Sequence, residues 1–72
     1  MRSNWQKVYT TDLHYRAEIV KAVLAEHDIH AVIVDKQDSA YHFGHIEVYV
    51  APEQVLIAIK IIEDGIDFGQ VQ

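Results

Sequence analysis

The chain has 72 residues, half of them hydrophobic, no cysteine, and a formal net charge of −5 at pH 7. That excludes disulfide scaffolds and thiolate metal sites, is too apolar for a disordered tail, and disfavours non-specific binding to phosphate backbones. The length fits one domain over residues 1–72, and a core this small rarely supplies more than about 3–5 kcal/mol, so self-association is an expected source of further support.

The first element is a strand over residues 5–10, WQKVYT, rich in aromatic and β-branched types. Strict alternation puts Trp5, Lys7 and Tyr9 on one face and Gln6, Val8 and Thr10 on the other. Met1-Arg2-Ser3-Asn4 runs straight into this strand with nothing resembling a leader, and no apolar run approaches the about 18–20 residues that span a bilayer. A cytoplasmic protein without membrane contact is expected. Thr10, Thr11 and Asp12 are competent helix N-caps, because a side-chain oxygen accepts a free backbone N–H. A helix follows over about 13–27, with Leu13, Ala17, Val20 and Leu24 as its apolar stripe and Ile19 and Val23 widening it. No glycine ends it, so Asp28 is expected to take the left-handed conformation at some cost.

Residues 29–35, IHAVIVD, form a second strand whose two apolar faces predict burial on both sides. Residues 36–44 are polar and turn-forming. The third strand, HIEVYV, places Ile46, Val48 and Val50 on one face and Glu47 and Tyr49 on the other. Pro52 suits the first turn of a second helix that runs to about residue 64, where Gly65 is a natural stop. Ile66 and Phe68 then form a last edge strand or a packed tail. The order β-α-β-β-α(β) predicts an α+β, ferredoxin-like fold: one antiparallel sheet with two helices on one face.

Such a fold leaves the other sheet face bare. With Val8, Ile46, Val48 and Val50 turned to the helices, the bare face carries Trp5, Lys7, Tyr9, Glu47 and Tyr49, with a Lys7–Glu47 pair available across the strands. The second helix has more apolar residues than a single stripe of roughly 100° can hold: Val55, Ile59 and Ile62 form one line, and Leu56, Ile57 and Ile61 extend around the cylinder. A homo-oligomer is expected, with Trp5, Tyr9, Tyr49, Leu56, Ile57 and Ile61 at its interface.

No motif specifies a reaction. There is no glycine-rich phosphate loop, nucleophile elbow or cysteine nucleophile, and no catalytic residue is predicted. His27-x-x-His30 and His42-x-x-His45 each offer two ligands where zinc takes three or four, so neither predicts a metal site, and no cofactor is expected. Asp35, Asp38 and Glu47 surround the loop, but Glu47 reads more simply as the partner of Lys7. The aromatic strands invite comparison with RNA-recognition sheets, yet GHIEVYV lacks their basic, doubly aromatic third strand, and nucleic acid is an unlikely partner. Lys36, Gln37, Asp38, Ser39, Tyr41 and His42 mix donors and acceptors on a loop carried by a rigid sheet, with His45 at its junction with the third strand, which is where recognition of a small effector or a partner protein tends to sit.

Val8-Tyr9-Thr10, then residues 17–24, residues 29–34 and residues 44–50 resemble, in that order, the blocks of a small bacterial domain family described as prokaryotic signal-transducing proteins. The resemblance runs from about residue 7 to residue 63. Two departures are Asp28, where members often have glycine, and Ala51, which separates the third strand from Pro52. The resemblance implies a ferredoxin-like fold and kinship with nitrogen-regulatory signal transducers, which bind small effectors between subunits. The 36–44 loop is much shorter than theirs. The first expectation is a non-catalytic regulatory or ligand-sensing module. A second expectation is an adaptor that docks a partner protein without any ligand.

Overall fold

The computed structural model describes residues 4–38 and 43–66. In chain order it contains β1 (Gln6–Thr11), α1 (His14–Glu26), β2 (Ala31–Asp38), β3 (Phe43–Val50), a single 3-10 turn (Pro52–Gln54) and α2 (Val55–Glu63). The described strands form one antiparallel sheet of order β1-β3-β2. Both helices lie on one side: α1 contacts all three strands, while α2 sits over β1 and beside α1. This is the ferredoxin-like α+β arrangement the element order predicts. Phe68 and the rest of residues 67–72 lie outside the described residues.

The core follows from two periodicities meeting. Ala17, Val20 and Leu24 recur at helical spacing on α1 and are fully buried. Ile46, Val48 and Val50 alternate along β3 and are buried against them, with Ala31 from β2 and Ala58 from α2 closing the layer. Leu13 precedes the helix and is exposed, so the stripe begins at Ala17. No side chain caps α1 in the expected way. Thr11, itself buried, instead accepts a hydrogen bond from the Leu13 N–H at 3.1 Å through its Oγ1.

The end of α1 matches expectation. Asp28 has φ 63°, the Asp28 N–H donates to Ala25 O, and the Ile29 N–H donates to Leu24 O. This is a Schellman closure with Asp28 where glycine is usual, and Ile29 and Leu24 join the core beneath it. At the end of α2, Gly65 takes φ 97° at no steric cost.

Three expectations are corrected. First, β1 is not regular: Lys7 pairs with Tyr49, but Tyr9 pairs with Val48, so a β-bulge intervenes at Val8. Strict alternation would set Tyr9 opposite Glu47 on the bare face. The extra residue turns Tyr9 to the helices, where it packs against the core, and hydrogen bonding to Tyr15 and then to Tyr9 raises the Arg16 guanidinium above its ordinary value. Second, β2 is buried on one side only. Ala31 is buried and Ile33 packs on the core, whereas Val34 is exposed, because no described element covers the far face. Third, the 36–44 segment is mostly strand: Lys36, Gln37 and Asp38 continue β2 and pair with His45, Gly44 and Phe43, leaving residues 39–42 as the connection.

Candidate functional site

The register decides what gathers on the bare face. Glu47 lies on the central strand β3, between Thr10 of β1 and Val34 of β2. Lys7 and Val32 flank Tyr49 in the next row, and Lys36 lies opposite His45 on the other side. Side chains two residues apart on a strand share a face, so these positions form one patch.

Its centre is the Glu47 carboxylate. Tyr49 donates its hydroxyl to Glu47 Oε1 at 2.7 Å, and Lys7 Nζ donates to Oε2 at 3.4 Å. Lys36 Nζ lies 3.5 Å from Oε1, and His45 Nε2 lies 3.4 Å from Oε2, an ion pair when the imidazole is protonated. The Glu47 side chain is only 5% exposed, whereas Lys7, Lys36 and His45 are each about half exposed. Among the described residues no helix covers this face, so the carboxylate is hidden by the tips of its neighbours rather than by depth. The Tyr49 hydrogen bond, helped by the Lys36 and Lys7 charges, holds the Glu47 carboxyl below its ordinary value against the opposing pull of desolvation. The same hydrogen bond pushes the Tyr49 hydroxyl above its ordinary value.

At one end of the patch the Trp5 and His30 rings meet edge to face, with centroids 5.8 Å apart and an interplanar angle of 81°. On the opposite side of the sheet His14 Nε2 approaches Asp35 Oδ2 at 3.6 Å, so that acid faces the helices and not the patch.

The structure therefore brings Lys36, His45 and Tyr49 together, and places Trp5 at the rim of the same face. It does not bring Tyr9 there. Ser39, Tyr41 and His42 lie outside the described residues, as do the side chains of Gln37 and Asp38. On α2, Leu56 is 85% exposed and Ile57 is 53% exposed, as an interface would need, while Ile61 turns inward and packs against the core. Among the described residues no three histidine or acidic side chains gather as a metal site, and no helix is long and apolar enough to cross a membrane. A shallow groove of about 380 Å³ by the end of α1, lined by Lys21, Ala25, Asp28, Ile29, His30 and Ala31, gathers no comparable set of converging charges.

Sequence reasoning found the Lys7–Glu47 pair but treated Glu47 as a simple cross-strand partner. The missed signal was parity. Counting in twos from Val32 reaches Lys36 once the second strand is extended into the segment read as a loop, and counting in twos back from Tyr49 reaches His45 within the third strand.

A model of the family described as "Putative prokaryotic signal transducing protein" matches residues 5–66, a span that includes every member of this patch. No curated protein and no solved structure matches the chain.

Proposed function

The chain belongs to that family of prokaryotic signal transducing proteins, and we propose on that footing that it is a non-catalytic regulatory module that reads a small effector on its bare sheet face and self-associates through its exposed apolar surface. The observation that carries this reading is the Glu47 cluster. A carboxylate that accepts from a tyrosine and is flanked by two lysines and a histidine is held ionised, so it has little proton affinity to offer as a general base. Tyr49, its acidity weakened by the same bond, is a poor nucleophile at neutral pH. The outer donors around the carboxylate face solvent and suit recognition better than turnover.

Self-association rests on α2. Leu56 and Ile57 are exposed beside the apolar core, and a second copy is the simplest way to cover them. Signal transfer would then be a population shift, in which the effector favours one assembled state because it binds that state more tightly.

Light scattering at rising protein concentration, paired with a thermal-shift screen of nucleotides, amino acids and divalent metals, tests the reading. Mass growth with concentration and at least one compound that raises the melting temperature are expected. A protein that stays monomeric and that nothing stabilises would favour the second reading, an adaptor that docks a larger protein through Leu56 and Ile57.

A further inference from the structure

Resting on the sensing reading above, we propose that Lys7, Lys36 and His45 form a binding site for the phosphate group of a small phosphate monoester, whose organic body lies along β3 on Tyr49 and Val32. The charge balance points to an anion. Two ammonium groups less one carboxylate leave a positive centre, made more so whenever His45 is protonated, in a chain whose overall charge is −5. The two lysines come from the strands on either side of β3 and converge on opposite oxygens of one carboxylate, so both ammonium groups are anchored at the same point of the face.

Each ammonium has three N–H donors; Lys7 gives one to Glu47, and Lys36 pairs with the same carboxylate by charge at 3.5 Å. Both lysine side chains are about half exposed, so they remain open to a ligand from solvent. His45 borders the same space from the central strand. Glu47 acts here as the positioning residue: it fixes the cations over the sheet and lowers the conformational entropy that capture of an anion would otherwise cost. A dianion matches the surplus better than a monocarboxylate.

One nearby acid stays out of the site: Asp35 faces the helices and pairs with His14. Beside the charges, Tyr49 and Val32 share a row of the same face and Val34 lies beside Glu47 in the next, which gives an apolar floor for the rest of the ligand.

The test is a titration of the ¹⁵N-labelled full chain with inorganic phosphate and with phenyl phosphate, using sodium chloride at matched ionic strength as the control. Saturable amide shifts centred on Lys7, Lys36, His45, Glu47 and Tyr49 are expected, with phenyl phosphate binding at least threefold more tightly than phosphate. Lys7→Gln and Lys36→Gln, checked for folding by their dispersed spectra, should each weaken binding at least fivefold. Two variants are used so that a folding failure in one leaves the other to decide. Shifts that do not saturate, shifts that chloride reproduces, or affinities unchanged in the folded lysine variants would overturn the proposal. Should phosphate esters fail here while another compound stabilises the protein in the thermal screen, the sensing reading stands and only the anion site falls.

Discussion

The two faces of the sheet are built on different principles. The covered face is apolar and close-packed: Val48 and Val50 of β3 meet Val20 and Leu24 of α1 with no exposed surface left. The bare face buries a residue almost as completely, but that residue is an acid, and its shield is made of lysine, histidine and tyrosine tips. One face hides hydrocarbon from water by layering. The other hides a charge by surrounding it with donors, an arrangement that is directional and that responds to pH, salt and competing anions. Burial alone therefore does not tell a core from a site.

The comparison can be broken most forcefully from the covered side. Leu24→Ala should cost about 2–5 kcal/mol, comparable with the whole stability expected of so small a domain. A protein largely unfolded at 25 °C by circular dichroism is expected, and a native-like melt would show that α1 does not carry the core. On the bare face Glu47→Gln should act through pH. Because the folded-state carboxyl sits below its ordinary value of 4.5, its contribution to stability is fully present above that pH and is lost as pH falls through the lowered folded value. Urea midpoints of the wild type and the glutamine variant should differ at pH 7 and draw together by pH 3. A gap that stays constant across that range would mean that the carboxylate charge contributes nothing.

Smaller effects sharpen the contrast. Asp28→Gly relieves the left-handed backbone and removes an acid from the negative end of α1, so a gain of up to about 1 kcal/mol is expected in chemical denaturation. No gain would mean that the left-handed conformation costs Asp28 little. Leu56→Ser should change monomer stability by less than about 0.5 kcal/mol, since that side chain is 85% exposed. The same change should reduce concentration-dependent mass in light scattering, and an unaltered mass profile would remove α2 from the proposed interface.

The covered face was legible because its code is redundant. Ala17, Val20 and Leu24 repeat at helical spacing, Ile46, Val48 and Val50 alternate, and Pro52 and Gly65 bracket the second helix, so each signal supports the same fold. Asp28 was readable too, since a helix with no glycine at its end must place some other residue in the left-handed region. The bare face was read less well for two reasons. Polar residues at 36–38 look like turn material, yet antiparallel pairing with β3 continues through them and carries Lys36 into the patch. And nothing in KVYTT announces a bulge: Val8 and Tyr9 both suit a strand, and only the pairing partners show that the two do not alternate.

That bulge gives the first strand slack at one position. Val8 is the surplus residue, and a chain lacking it would keep Lys7 opposite Tyr49 and Tyr9 opposite Val48. Loss of a residue two positions later, at Thr10, would instead slide Thr11 into the row of Glu47 and strip the Leu13 N–H of its acceptor. Length differences of a single residue among related chains should therefore accumulate at Val8, where the strand can shorten without any side chain changing sides.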